Sequence, residues 1–185
     1  MATGAKYNVH FKRRREGQTD YQQRLRLLKS GKPRLVVRKS NRNTTVQLVV
    51  AEREGDRTVA CGETTHLERY GWRGPTGNLP AAYLVGYLAG REAVDEGYEE
   101  AVLDIGLNHV TPGNKVFASL KGAIDAGMEV PHGDEVLPEW SRVRGEHIAD
   151  YAEYSAQDID ASEIPSNFDE TLEEIEEEHG GGVDE

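Results

Sequence analysis

Three short hydrophobic segments separated by polar turns make up residues 34–61, RLVVRKSNRNTTVQLVVAEREGDRTVAC. In 34–40 and 44–51 the side chains alternate between two sets, which is the pattern of a strand with two different faces. Residues 54–56 predict a turn, and 57–61 a third strand. Because the connections between these strands are short, we expect an antiparallel meander.

Two helices and a fourth strand are expected after the meander. The pattern predicts helices at 78–96 and 114–126, each capped by an asparagine and followed by a glycine. Residues 100–106, EAVLDIG, form a mostly apolar strand after a helix, which is the order of a βαβ crossover with a parallel neighbour. We therefore predict an α/β domain with a mixed sheet, and a short final strand at 128–130.

Small residues at two places in this domain indicate close packing. Ala82, Gly86 and Gly90 stand four residues apart in the first of these helices. Glycine inside a helix costs roughly 1 kcal/mol relative to alanine, so we expect this stripe to be offset by tight packing of the helix on the sheet. Cys61 is expected to be a small buried residue of the third strand.

Positive charge is concentrated at the N-terminal end of a chain whose formal net charge is −11. Residues 1–42 contain 13 Lys and Arg against 2 Asp and Glu, whereas the other 143 residues carry a net charge of −22. Such separation most simply indicates a fixed polyanionic partner. The acidic remainder, in a chain with 15 Arg and only 7 Lys, suits a salt-adapted proteome.

The basic stretch at 12–42 divides into three parts. Residues 1–17 lack apolar periodicity and predict an extended arm that becomes ordered against a partner. A helix is expected from Thr19 or Asp20 to Gly31, and an edge-like strand with cations on both faces follows Pro33. A solvated tail and a solvated amphipathic helix remain the alternatives for the first two parts.

The C-terminal region is acidic. Residues 141–185 carry 15 Asp and Glu against 2 Lys and Arg. A weak helical pattern covers 140–154, and 173–178 is expected to be a helical end that continues into a disordered, solubilising tail. We therefore divide the chain into a basic arm and helix at 1–30, an α/β core at 31–135 and an acidic extension at 136–185.

Enzyme chemistry finds little support in the sequence. Asp104 is the carboxylate best placed for a metal-dependent nuclease, but such a site needs two or more convergent carboxylates. The spacing of Glu63 and Asp125 in the sequence does not indicate that either binds a metal ion together with Asp104. No Walker loop, nucleophile elbow or HExxH motif is present. We predict no catalytic site, metal, cofactor, small-molecule substrate or membrane span, and the single Cys61 suits a reducing cytoplasm.

Several stretches resemble a known family. RRREGQTDYQQRLRLLKSGKPRLVVRKSNR, PTGNLPAAYLVGYLAG, LDIGL and TPGNKVFASLKGAIDAGMEVPH are similar, in order and spacing, to the archaeal form of large-subunit ribosomal protein eighteen. The resemblance covers about residues 13–132. It implies a three-layer α/β domain with a mixed sheet arranged as in ribonuclease H, without the catalytic carboxylates of that fold.

The same resemblance implies a structural, non-enzymatic ribosomal protein of the cytoplasm. It implies binding to 5S rRNA and attachment of that RNA to large-subunit (23S) rRNA in the central protuberance. The implied protein neighbours are large-subunit ribosomal protein five and other central-protuberance proteins. A metal-dependent RNA nuclease and a free RNA chaperone are the alternative functions.

We predict rRNA contacts from the basic stretch and from one loop. Residues 13–15 and 34–41 match RNA-contacting regions of the family, and Lys115 matches its Gly-Asn-Lys loop. A lysine in the first turn of a helix, where acids are preferred, is also consistent with a bound phosphate. The predicted contact residues are Lys12, Arg13, Arg14, Arg15, Tyr21, Arg24, Arg26, Lys29, Lys32, Arg34, Arg38, Lys39, Ser40, Asn41, Arg42, Asn114 and Lys115.

Overall fold

The computed structural model describes residues 4–151 and 160–180. Four strands form one sheet: β1 (Arg34–Lys39), β2 (Thr44–Ala51), β3 (Asp56–Glu63) and β4 (Val102–Asp104). Their order is β3-β2-β1-β4, with β2 antiparallel to β1 and β3, and β4 parallel to β1. The predicted α/β class, meander and parallel neighbour are confirmed. However, β1 is a central strand and not an edge, because β4 pairs with its other side.

Helices flank this sheet. They are α1 (Lys12–Arg15), α2 (Tyr21–Leu28), α3 (Leu79–Asp95), α4 (Lys115–Asp125), α5 (Trp140–Arg144), α6 (Glu146–Ala149) and α7 (Ile164–Gly180). Short 3-10 helices occupy Thr64–Tyr70, Asp134–Val136 and Ala161–Glu163. The predicted caps are observed, since the side chains of Asp20, Asn78 and Asn114 accept hydrogen bonds from the first turns of α2, α3 and α4. No helix of the described residues is long and apolar enough to cross a bilayer.

The core lies between the sheet and the helix pair α3 and α4. Leu35 and Val37 of β1 are fully buried with Leu48 of β2, as the alternation predicts. The small-residue stripe of α3 faces α4 and not the sheet, which corrects the prediction. An ideal Cβ at Gly86 would lie 2.0 Å from the carbonyl oxygen of Ser119, so the two helix backbones touch there.

This contact predicts the effect of a single methyl group. We expect Gly86→Ala to lower the free energy of unfolding by about 1–3 kcal/mol, because the added Cβ forces two packed helices apart. This figure is the net loss, because a Cβ 2.0 Å from a backbone oxygen costs more than the roughly 1 kcal/mol that alanine brings to a helix interior. Denaturant unfolding in concentrated KCl measures it. Unchanged or higher stability would contradict the close approach of α3 and α4.

Two predictions about the strands are wrong. Residues 128–130 do not form a strand, because their only pairing is an isolated parallel bridge between Glu129 and Glu100, which lies outside the four strands of the sheet. Cys61 is exposed. Alternation in β3 places Ala60 and Gly62 inward and Cys61 outward.

The helix predicted at 140–154 is interrupted. Gly145 has φ +84° and separates α5 from α6. A Cβ at this position would also lie 2.9 Å from side-chain atoms of Pro80 and Ile164, so the chain passes close to α3 here. Residues 152–159, which include the end of the predicted helix, lie outside the described residues.

The helical end predicted at 173–178 is confirmed as part of α7, but this acidic helix packs against α3 instead of starting a solubilising tail. Phe168 and Ile175 are fully buried, and the Phe168 ring centroid is 5.5 Å from that of Tyr83. The Tyr87 hydroxyl donates to Glu176 at 3.1 Å. Residues 181–185 of the predicted tail lie outside the described residues, and the division into three domains stays a prediction.

Candidate nucleic-acid interface

The exposed cations of residues 12–42 lie on α1, on α2 and at the end of β1. Within residues 4–151 and 160–180, several of them have no carboxylate partner. These are Arg13, Arg14, Arg15, Arg26, Lys29, Lys39 and Arg42. Cations without a carboxylate partner in the free protein are available to neutralise phosphates and release counterions.

Other predicted contact residues are paired with carboxylates near the surface. The pairs are Lys12 with Glu16 (3.9 Å), Arg24 with Asp56 (2.8 Å) and Lys32 with Glu100 (2.7 Å). Surface pairs of this kind contribute little to stability. A phosphate therefore competes for these cations at little cost in stability.

The turn between β1 and β2 presents polar side chains to solvent. Lys39, Asn41 and Arg42 are exposed there. Ser40 Oγ accepts a hydrogen bond from the Asn43 backbone N–H at 2.9 Å, so this hydroxyl shapes the turn. The turn is thereby a fixed platform for the two cations beside it.

Arg34 does not belong to the exposed surface of the free protein, and its contact with RNA stays a prediction. Its side chain is 3% exposed. Arg34 Nη1 donates to Asp104 Oδ2 at 2.7 Å and Nη2 to Asp56 Oδ2 at 2.8 Å. Because β1 is central, its outward-facing arginine meets Asp104 of the adjacent β4 and Asp56 of β3 instead of solvent.

Asp104 is the centre of this charge cluster. Burial alone would raise the pKa of Asp104, but the charge and hydrogen bonds of Arg38, the N–H of Gly106 and the bond from Arg34 outweigh it. The result is a pKa below the ordinary value of 3.8. Both carboxylate oxygens accept from arginines, so this group is not placed to hold a cation. The described residues contain no cluster of three or more His, Cys, Asp or Glu that could bind a metal ion.

An aromatic pair adjoins the basic arm. The ring centroids of Phe11 and Tyr21 are 5.2 Å apart. Phe11 is 72% exposed, and it directly precedes the four cations of α1. We did not predict Phe11 as a contact residue, although an aromatic residue beside a cation run is the sequence signal for it.

Relatives of the chain are ribosomal proteins. Residues 5–99 and 95–133 match the family described as ribosomal large subunit proteins 60S L5, and 50S L18. The large ribosomal subunit protein uL18 of Halobacterium salinarum is 63% identical over 184 residues, which covers 96% of this chain and 100% of that protein. The chain belongs to the uL18 family. The uL18 proteins of Natronomonas pharaonis and Haloferax volcanii are 60% and 58% identical over 184 residues, with the same coverage.

Membership in the uL18 family confirms the coarse functional prediction. This chain is a large-subunit ribosomal protein whose partners are rRNA and other ribosomal proteins, and it acts on the ribosome in the cytoplasm. Its relatives are ribosomal proteins and not enzymes. They come from halophilic archaea, which agrees with the salt adaptation inferred from the acidic composition.

Lys115 of this uL18 chain joins two loops. Its Nζ donates to the carbonyl oxygens of Ser40 at 2.7 Å and Gly77 at 3.1 Å. Burial lowers the pKa of Lys115, and the charge of Lys39 lowers it further. These carbonyl groups account for a lysine at the start of α4 without a phosphate. Contact between Lys115 and RNA stays a prediction.

Asn114 caps the same helix, and this role predicts different stabilities for two variants of Asn114. Its Oδ1 accepts from the N–H groups of Val116 at 2.8 Å and Phe117 at 3.2 Å. We expect Asn114→Ala to lower the free energy of unfolding by about 1 kcal/mol, and Asn114→Asp to remain close to the wild type. Thermal unfolding measures both. A weaker RNA affinity of Asn114→Ala at unchanged stability would instead indicate a direct contact.

Proposed function

We propose that this uL18 chain binds 5S rRNA and attaches it to 23S rRNA in the central protuberance, beside large-subunit ribosomal protein five. The observation that supports the proposal is that cations from α1, α2 and β1 lie around one cleft. Arg13 of α1, Arg24 of α2 and Arg38 of β1 line a single cleft of about 420 Å³. The unpaired cations around it supply charge for an RNA backbone.

The balance of side chains favours folded RNA over single strands. Exposed aromatic groups next to the basic stretch are few, namely Tyr7, Phe11 and the partly exposed Tyr21, whereas the cations are many. Single-strand binders rely on rows of stacked bases. Contacts to phosphates and to the shape of a helix need no unstacked base. A compact RNA such as 5S rRNA fits this surface.

A titration of the full chain with 5S rRNA and with an unrelated tRNA tests the proposal. We expect tighter binding to 5S rRNA, and a logarithm of affinity that falls linearly with the logarithm of salt concentration. The salt series is confined to concentrations at which circular dichroism reports folded protein. Equal affinity for the two RNAs would contradict the proposal.

Attachment of one RNA to the other is tested separately. We expect the chain to retain a labelled fragment of 23S rRNA only when 5S rRNA is also bound, or to bind both in one complex of defined stoichiometry. Displacement of one RNA by the other would show a shared site and would contradict the bridging role.

A further inference from the structure

The guanidinium group of Arg38 is held in one orientation at the cleft. Its Nη1 donates to the carbonyl oxygens of Asp104 at 2.8 Å and Val37 at 2.9 Å, and its Nη2 donates to Asp104 Oδ1 at 3.0 Å. An ideal Cβ at Gly106 would lie 2.9 Å from Arg38 Cζ, so the group rests directly on the backbone. The side chain is nevertheless 47% exposed.

Two more arginines of the cleft are oriented by protein acceptors. Arg24 Nη2 donates to both oxygens of Asp56 at 2.8 Å, and Arg13 Nε donates to Thr19 Oγ1 at 2.9 Å. Among the described residues, Arg38 Nε, Arg24 Nε and Nη1, and both Nη atoms of Arg13 make no hydrogen bond. Donors from three elements therefore remain unused around one cavity.

The carboxylates of the cleft are all engaged. Asp20 accepts from the N–H groups of Gln22 and Gln23, and Asp56 and Asp104 accept from arginines. The charges of Asp56 and Asp104 are balanced by arginines, and Asp20 is held by backbone N–H groups. An anion that enters the cavity meets the free guanidinium N–H groups, which match the oxygens of a phosphate.

We propose that this cleft binds one phosphodiester group of the RNA, and that Asp104 and Gly106 position Arg38 to receive it. The inference rests on the proposed function and names a site within it. A fixed guanidinium loses little conformational entropy on binding, which is the gain of preorganisation. The buried carboxylate of Asp104 then favours RNA binding because it holds Arg38 in place, although the charge of the carboxylate itself repels RNA.

Arg38→Lys is the deciding variant, because it keeps the positive charge and removes the planar group. We expect at least about a tenfold loss of affinity for 5S rRNA, as for a lost charge-assisted hydrogen bond. Because the charge is kept, the slope of log affinity against log salt should stay close to that of the wild type, so the loss reports on hydrogen bonds and not on the number of charges. Arg53→Lys, at an exposed residue of the β2–β3 turn, is the matched control and should bind as the wild type does.

Asp104→Asn separates positioning from charge. It makes the protein more positive, so a surface that acts through charge alone would bind RNA more tightly. We expect weaker binding, by at least about fivefold for the folded fraction. In the Arg38→Lys background the same change should cost little further affinity, because the residue it positions is already altered.

The outcomes are distinct. Arg38→Lys within twofold of the wild type would overturn the phosphate site, and tighter binding by folded Asp104→Asn would overturn the positioning role. If Asp104→Asn does not fold, Arg38→Lys against Arg53→Lys still decides the site. If the wild type shows no preference for 5S rRNA over tRNA, the proposed function fails, while the two arginine variants still report on phosphate binding with either RNA.

Discussion

Arg34→Ala is expected to lower the free energy of unfolding by at most about 3–5 kcal/mol, the cost of removing one partner of a buried ion pair, because Asp104 keeps Arg38 as a second partner. The variant removes the 2.7 Å bond to Asp104 and the 2.8 Å bond to Asp56. Arg38 then remains as the charged partner of Asp104, and it is half exposed. Chemical denaturation in 1 M KCl is the measurement.

Arg24→Ala is the matched control, because Arg24 pairs with the same Asp56 at 2.8 Å but nearer the surface. We expect a change of about 0–1 kcal/mol, which shrinks further in salt. The deficit of Arg34→Ala should persist in salt, since a buried pair is poorly screened. Similar losses for the two variants would contradict the structural role of Arg34.

The pH dependence of the free energy of unfolding follows from the pKa of Asp104. Its pKa in the folded chain is below 3.8, so its charged state stabilises the fold above pH 4, and this contribution disappears as the pH falls through the folded pKa. Removing Arg34 raises that pKa. The loss of unfolding free energy in Arg34→Ala should therefore become smaller in acid, where the carboxylate of Asp104 takes up a proton.

Replacing Arg13, Arg14 and Arg15 together by alanine is expected to weaken RNA binding about a hundredfold near 0.2 M salt. The estimate assumes one phosphate for each arginine, with about 0.9 counterion released per contact. The salt dependence should become less steep by nearly three. Stability should change little, because α1 buries none of its residues. Filter binding with 5S rRNA measures the affinity and its slope.

A second triple variant controls for net charge. Arg53, Arg69 and Arg142 are also exposed, and their replacement by alanine removes the same three charges outside the basic stretch. We expect it to bind within about threefold of the wild type at this salt concentration, since distant exposed charges are screened. An equal loss for both triple variants would mean that overall charge, and not the arm, governs affinity.

Local patterns in the sequence were sufficient to predict most elements of the fold. Alternation located β1 to β3, and capping residues located α2, α3 and α4. Both signals act within a few residues, so they need no knowledge of the tertiary structure. The parallel β4 followed from chain order alone.

Partners distant in the chain could not be predicted in this way. Alternation showed that Arg34 faces away from Leu35, but not that Asp104, 70 residues later, would be buried beside it. The glycine stripe of α3 showed close packing but did not identify α4 as the neighbour. The high acidity of α7 led to the prediction of a tail. Phe168, Thr171 and Ile175 nevertheless recur at helical spacing, which indicates a helix with one buried face, and all three are buried.

Co-sedimentation with isolated large ribosomal subunits, at the lowest salt concentration that keeps the protein folded, tests most directly whether the N-terminal cations fasten this uL18 chain to ribosomal RNA. Tagged wild type and the Arg13, Arg14 and Arg15 triple alanine variant are compared on gradients well below 1 M salt, where counterion release still contributes to affinity. We expect the wild type in the large-subunit fraction and the folded variant largely in the free fraction. Equal amounts of both on the large subunit would contradict the role of the basic arm.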